Sequence, residues 1–409
     1  MSLATELSGV NAAQTYIDTV GNNVANANTT GFKTSTPDFG DLYASAAQPS
    51  TPGEGVATNS LAQSFAQGTI SQTGDPLDVA ISGNGFFQLQ TGSGIAYSRD
   101  GAFQVNTSGN LVNASGALVL GYGPSASGAA VAGSLQPITI SSGSIAASAT
   151  GNLALNLNLP TTDTPINTTT TPFKISNSAT YNESTSTAVY DSLGTSNTLT
   201  TYYTQVSGSG SPPQWQTHWG LTNASGSLIA SGAGPTLTFN SSGHLVSGSG
   251  VIAVNTLPDG AAPLDITLSY TGSSLSNLAF AVNAVQNNGT GSGQFTGITI
   301  AANGHVTGQY SNGGTKVLGT IALASFANPQ GLTPLSGNMW ASTYSSGQAI
   351  SGRPGSGTLG QLQSSALEGS NVDLTSQLVD LIVAQQAYQA NTEGINVDQQ
   401  DFQKLMTIQ

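Results

Sequence analysis

Hydrophobic residues near the N-terminus recur at steps of three, four and seven residues. The positions that share this spacing are Leu3, Leu7, Val10, Ile17 and Val24. Because such a heptad spacing places apolar side chains on one helical face, it predicts an amphipathic helix from residue 3 to about residue 28. An Asn-rich segment and a glycine follow, and both residue types tolerate the positive φ at which helices end.

The same spacing returns near the C-terminus. The positions are Leu374, Leu378, Leu381, Tyr388, Ile395, Phe402 and Met406, and Ile382 widens the apolar face beside them. They predict a second helix from about Asn371 to Met406, with Asn371 as its N-cap and Asp373 in the first turn. Two slender helices have little interior of their own. The apolar spacing therefore predicts packing between copies of the chain, or an internal two-helix coiled coil.

The residues between the two helices read as strands and turns. Leu153, Leu155, Leu157 and Leu159 alternate with smaller or polar residues, which is typical of a half-buried strand. We therefore predict a mainly β body with α-helical termini, in which the terminal helices form a coiled-coil-like pair and the β-domains are nested and discontinuous. The predicted parts are a terminal helical domain (1–30 plus 371–409), a connector (31–71 plus 345–370), a first β-domain (72–145 plus 286–344) and an inserted outer β-domain (146–285).

Composition excludes several functions. Charged residues make up only 6% of the chain, the net charge is −13, and there are six basic residues in all. Nucleic acids and anionic membranes are bound by clusters of Lys and Arg, and this chain has no such cluster. It has no cysteine, no apolar stretch long enough to insert into a membrane, and no secretory signal pattern at its start. If the protein leaves the cell, we expect export without a cleaved signal peptide.

The residue types that carry enzymatic chemistry are scattered. His218, His244 and His305 have no carboxylate or second histidine at metal-ligand spacing. Trp215 and Trp219 fall on one side of a predicted strand, where they would pack in a core or form a sugar-stacking platform. A secreted β-rich carbohydrate-binding protein or glycosidase would explain the tryptophans but not the terminal heptads. We predict no catalytic residue, no metal site and no cofactor.

Four segments carry a family resemblance. The segment from Asn22 to Lys33, and the segment from Glu368 through Leu374 into the last helix, resemble the terminal signatures of the bacterial flagellar rod and hook axial family. Residues 78–87 and 97–103 resemble its first β-domain. The signature positions are Asn23, Asn26, Asn28, Thr30, Gly31, Phe32, Lys33, Asn371, Val372, Asp373 and Leu374.

The resemblance implies a structural subunit and not an enzyme. Rod members of the family are shorter, so the inserted domain favours the hook over a distal rod or other axial component. A hook subunit is expected to self-assemble into a curved, flexible tube, which acts as a universal joint between motor and filament. The implied partners are other copies of the chain, the rod, hook cap and hook–filament junction proteins, and the flagellar type III export apparatus. The implied location is extracellular, in the hook of the flagellum.

Overall fold

The computed structural model describes residues 3–42, 53–124, 134–206 and 214–407. Within them the chain is mostly β, with one long α-helix toward each end. The helices are α1, Leu3–Ala25, and α2, Leu374–Thr407, and they pack against each other. Neither helix in these ranges is apolar enough to cross a membrane. The predicted fold class, a β body with helical termini, is confirmed.

The chain divides into two compact units. One contains Met1–Ser141, Gly297–Gly308 and Thr315–Gln409, and the other contains Ser142–Thr296 and Gln309–Gly314. The second unit thus interrupts the first in sequence, as nesting requires. The division passes through two strands, Phe295–Ile300 and His305–Tyr310. The finer division into four parts stays a prediction.

The first unit holds both helices and many short strands. In chain order the strands are Ser35–Leu42, Gly55–Gln63, Ile70–Gln72, Val79–Ser82, Phe86–Thr91, Gly94–Ser98, Phe103–Val105, Leu111–Asn113, Leu118–Tyr122, Gln136–Pro137, Thr315–Ile321, Leu323–Ser325, Thr333–Leu335, Met339–Ala341, Ile350–Gly352, Gln361–Ser364 and Ala366–Glu368. Aromatic rings form one of its cores, in which Phe86 packs edge-on against Phe65, Phe326 and Trp340. Such edge-to-face contacts are favourable beyond the area that they bury.

The second unit consists of two sheets around one hydrophobic core. Its strands are Asn152–Pro160, Glu183–Tyr190, Ser196–Gln205, Trp215–Thr222, Leu228–Phe239, Leu245–Ser247, Ser249–Val254, Leu264–Ser269, Ser274–Ser276 and Ala281–Asn287. The alternating leucines of Asn152–Pro160 all face the core and are at most 1% exposed. Trp215 and Trp219 lie in the same core, as the core-packing interpretation predicts, and so form no open sugar platform.

The connector after α1 contains a regular antiparallel hairpin. Ser35–Leu42 and Gly55–Gln63 pair antiparallel, from Ser35 opposite Gln63 to Leu42 opposite Gly55. The backbone N–H of Val56 donates to Ser8 Oγ at 3.1 Å, which ties this hairpin to α1. Both of its faces are largely exposed, so its sequence lacks the alternation of a half-buried strand.

The predicted N-cap of α2 is wrong. Asp373 caps the helix, because its Oδ1 accepts from the backbone N–H of Thr375 at 2.9 Å and of Ser376 at 3.3 Å. The Asn371 side chain instead binds the connector, with Oδ1 accepting from the Thr34 backbone N–H at 2.8 Å. Both residue types are good caps, so local sequence could not choose between them.

A buried tyrosine pair predicts alkaline sensitivity in the second unit. Burial raises the pKa of Tyr270 to about 12, and its ring lies edge-on to Tyr203, whose pKa burial also raises. The pKa of Tyr270 is higher in the folded state than its unfolded value of about 10. Its contribution to the free energy of unfolding is therefore fully present below pH 10 and is lost as the pH rises through 12. We expect a loss of roughly 2–3 kcal/mol from Tyr270 over that interval. Urea unfolding at pH 9 and pH 11.5 measures it, and Tyr270→Phe should make the loss smaller, whereas Tyr344→Phe, at a fully exposed site, should not.

Candidate assembly interface

Small and polar side chains form the contact between α1 and α2. A methyl group on Gly9 would lie 2.5 Å from Asn391 Oδ1, so glycine is what allows the helices to approach there. Asn23 Nδ2 donates to Gln377 Oε1 at 2.8 Å, and Ala384 is fully buried. Contacts of this kind bury little apolar area, so they hold the pair together weakly.

Seven of the thirteen predicted packing positions on the two helices are exposed, and six are half-buried. Those that are exposed are Leu3, Leu7, Leu374, Leu378, Ile382, Phe402 and Met406. Those that are half-buried are Val10, Ile17, Val24, Leu381, Tyr388 and Ile395. Ala13 and Val20 of α1, which lie outside the predicted set, are buried. A small residue such as Gly9 allows the axes of the two helices to lie closer together than leucine would.

An apolar face remains on the outside of α2. We call the residues Leu374, Leu378, Val379, Ile382 and Val383 the outer face of α2. Their side chains are 43–56% exposed. At the far end of the pair, Leu3 of α1 and Phe402 of α2 line a crevice of about 510 Å³. Exposed apolar surface is a feature that interaction sites share.

A buried ion cluster lies where the two segments of the connector meet the β-strands of the first unit. Glu368 accepts from Lys33 Nζ at 2.7 Å and from Arg99 at 2.9 Å, and the three side chains are at most 5% exposed. Glu368 also accepts from the Gly68 backbone N–H at 3.0 Å. Burial lowers the pKa of Lys33 and of Arg99, while the Glu368 carboxylate opposes both shifts. We call Lys33, Arg99 and Glu368 the junction triad.

The junction triad joins three distant parts of the sequence. Arg99 also donates to the Gly83 carbonyl oxygen at 2.7 Å, and Lys33 to the Ala66 carbonyl oxygen at 2.8 Å. It therefore ties the segments that follow α1 and precede α2 to the same strands. The sequence offers two signals for the junction triad: basic residues are rare, and two of them, Lys33 and Arg99, lie in segments that resemble the family. No local pattern indicates that they pair with Glu368.

Two signature asparagines tie the helices to the connector. Asn23 Oδ1 accepts from the Ser35 backbone N–H at 3.0 Å, while Asn371 Nδ2 donates to the Ser64 carbonyl oxygen at 2.8 Å. Gly31 has a φ of 68°, and a methyl group there would lie 2.6 Å from the Asp100 backbone nitrogen. This position therefore requires glycine for both its conformation and its close approach.

The other signature residues are less central. Asn26 Oδ1 accepts from Thr29 Oγ1 at 3.1 Å, and the Thr30 carbonyl oxygen accepts from Asn338 at 2.9 Å. Phe32 and Val372 are half-buried, and Asn28 is exposed. Gly31 and Lys33 both bond to Glu368, and Asn371 shares the Ala66 carbonyl oxygen with Lys33. Asn23 instead bonds to Ser35 and Gln377.

The histidines do not form a site in the described part of the chain. His218 stacks on Phe173 with ring centroids 4.1 Å apart, and burial lowers its pKa. His305 Nδ1 lies 2.9 Å from Thr320 Oγ1. No group of three or more His, Cys, Asp or Glu residues that could hold a metal occurs among the described residues.

Known protein families match successive parts of the chain. Residues 3–33 match the flagella basal body rod protein family, and residues 80–169 match the D1 domain of the flagellar hook proteins FlgE/F/G. Residues 156–290 match the D2 domain of the flagellar basal body protein FlaE. Residues 363–408 match the C-terminal part of the flagellar basal body rod FlgEFG proteins.

Curated relatives match over the whole length. The flagellar hook protein FlgE of Salmonella typhimurium is 37% identical over 412 residues, with all of both chains covered. That of Escherichia coli K12 is also 37% identical over its full length, and that of Treponema pallidum is 31% identical with 96% of each chain covered. Among solved structures, Helicobacter pylori flagellar hook protein FlgE2 aligns with a TM-score of 0.55 at 13% identity. It covers 73% of this chain and 100% of its own, which is a likeness of fold.

Proposed function

The chain belongs to the flagellar hook protein FlgE family and is a structural subunit of the flagellar hook, and we propose that its copies polymerise through the outward apolar faces of α1 and α2. The observation that carries this proposal is the outer face of α2, which no other described residue covers. Burying the exposed half of each of its five side chains against a neighbouring copy would contribute on the order of 1 kcal/mol per side chain.

The polymer that we propose is a curved, flexible tube that transmits motor torque to the filament. The two β-rich units are the rigid parts of each subunit, because each has its own buried core. The low charge supports sliding between neighbouring subunits: only 6% of the residues are charged, so contacts between copies consist mostly of weak polar interactions that can break and form again.

The proposed partners and route follow from the family. We propose contacts with the rod, the hook cap and the hook–filament junction proteins at the ends of the tube. Export through the flagellar type III apparatus, without a cleaved signal peptide, would deliver the subunit to the outside of the cell. The absence of cysteine supports this route, because no disulfide has to form and no thiol has to be kept reduced during passage.

The structure indicates where to cut the chain to test self-assembly. Trimming to residues 72–360 would remove Glu368 and the strands Gln361–Ser364 and Ala366–Glu368, which pair with strands of the first unit. A chain of residues 29–372 removes only the helices and keeps the junction triad. We expect electron microscopy to show tubes of the full chain at high concentration with ammonium sulfate, and monomers of the shortened chain. Tubes of both would place the assembly contacts in the β-rich units and contradict the proposal.

A further inference from the structure

A buried amide oxygen lies beside two carboxylates at one end of the second unit. Gln205 is 4% exposed, and its Oε1 is buried without a hydrogen-bond partner in the described chain. Asp163 is half-buried, and its Oδ2 is likewise buried without a partner there. A buried polar atom that makes no hydrogen bond destabilises the fold. These two acceptor atoms are therefore suited to a ligand from outside the chain.

The sheet register places Gln205 on the same face as Glu183. Glu183 pairs with Tyr203 across the antiparallel strands Glu183–Tyr190 and Ser196–Gln205. Paired residues share a face of a sheet, and so do residues two apart in one strand. The side chains of Glu183, Tyr203 and Gln205 therefore lie on one face, which is the face that packs in the hydrophobic core. Glu183 begins its strand and is half-buried at the end of that core.

Hydrogen bonds bring Asp163 to the same place. Asn182 Oδ1 accepts from the Gln205 backbone N–H at 2.9 Å, and Asn182 Nδ2 donates to the Thr164 carbonyl oxygen at 3.0 Å. Asn182 thus joins the neighbours of Glu183 and of Asp163 to Gln205. Burial, and after it the charge of Asp163, raises the pKa of Glu183, which shows that the two carboxylates lie close together.

No basic side chain neutralises this pair of carboxylates. Lys174 is the only lysine or arginine in the sequence of the second unit, and it is exposed. Within the described ranges, neither Asp163 nor Glu183 forms an ion pair with a lysine, an arginine or a histidine. Burial raises the pKa of Asp163, and no cation opposes that shift. The place is therefore rich in acceptor oxygens and in negative charge.

We propose that Asp163, Glu183 and Gln205 Oε1 bind a Ca²⁺ ion, with water molecules as its remaining ligands. Ca²⁺ takes about six to eight oxygen ligands in a flexible geometry, and carboxylate and amide oxygens are among those that it uses. Mg²⁺ demands near-ideal octahedral geometry and gives up its waters reluctantly, so ligands from three separate segments suit it less. A divalent ion also balances the charge of the two carboxylates.

The expected consequence of binding is a more stable second unit. An ion that binds the folded chain and not the unfolded one raises the free energy of unfolding. It also offsets the repulsion between Asp163 and Glu183. The sequence pattern predicts no metal site, because these carboxylates and Gln205 lie in separate segments that no ligand spacing connects. The inference concerns the second unit alone and does not depend on the proposed self-assembly.

Terbium luminescence of the full-length chain tests binding. Tb³⁺ occupies Ca²⁺ sites and emits when a tryptophan close to it is excited, and Trp215 lies directly across from Gln205 in the neighbouring strand. We expect emission that millimolar Ca²⁺ displaces and millimolar Mg²⁺ does not. Asp163→Asn and Glu183→Gln should each weaken Ca²⁺ binding at least tenfold. Trp215→Phe should remove most of the emission while calorimetry still detects Ca²⁺ binding.

The matched control is Asp265→Asn, which removes a carboxylate from an exposed position of the same unit and should leave binding unchanged. Tb³⁺ emission that Ca²⁺ does not displace, or that persists equally in Asp163→Asn and Glu183→Gln, would overturn the inference. If either variant unfolds, hydrogen exchange of the wild-type chain decides. Ca²⁺, but not Mg²⁺, should slow exchange in peptides of the second unit, and unchanged rates would overturn the inference. These measurements use dilute monomers, so a failure of the chain to form tubes does not affect them.

Discussion

Replacing Leu378 with aspartate is expected to abolish polymerisation while both β-rich units stay folded. Leu378 is 51% exposed in the single chain, so the aspartate is tolerated there in the monomer. In the proposed polymer the same position is covered by a neighbouring copy, and a buried carboxylate without a partner costs several kcal/mol per subunit. Sedimentation and electron microscopy at concentrations where the wild-type chain forms tubes measure the effect.

The matched control for this variant is Gln386→Asp. It adds the same charge to an exposed polar position of the same helix, and we expect tubes to form. Ile17→Asp, on α1, should behave like Leu378→Asp. Circular dichroism that retains the wild-type β signal shows that the loss is one of assembly. Tubes of normal length from Leu378→Asp would mean that the outer face of α2 is not an interface.

Replacing Glu368 with glutamine is expected to destabilise the first unit by about 3–5 kcal/mol, because it leaves Lys33 and Arg99 buried without a countercharge. Hydrogen exchange is followed on peptides of each unit separately. Relative to the wild-type chain, amides of the first unit should exchange faster, and amides of the second unit should exchange at an unchanged rate. Glu54→Gln, at an exposed position of the same connector, is the control and should change neither.

A further variant separates the charge of the junction triad from its packing. Replacing all three side chains together, as Lys33→Met, Arg99→Met and Glu368→Leu, should recover much of the stability lost in Glu368→Gln. Apolar groups of similar volume often replace a buried ion pair at little cost. If the triple variant is as unstable as the single one, the hydrogen bonds to the Ala66 and Gly83 carbonyl oxygens matter more than the charges do.

The sequence pattern predicts the two terminal helices but not how they pack against each other. The heptad spacing of Leu374 and Leu378 predicted α2 and its apolar face, because helical period alone determines which residues share a face. Which face meets α1 was decided by Gly9, Ala384 and Gly394, whose small size matters only when the two backbones approach. A pattern of hydrophobic positions does not show that such small residues lie in the contact between the helices.

The fold class, the two terminal helices, the buried leucine strand of the second unit and the family can all be derived from the amino-acid sequence, since each depends on local period or on short signature segments. Three-dimensional packing was needed to show that Asp373 and not Asn371 caps α2, and that Glu368 pairs with Lys33 and Arg99. These features join residues as many as 335 positions apart. Their energies depend on burial and on distance between charges, which no local pattern in the chain contains.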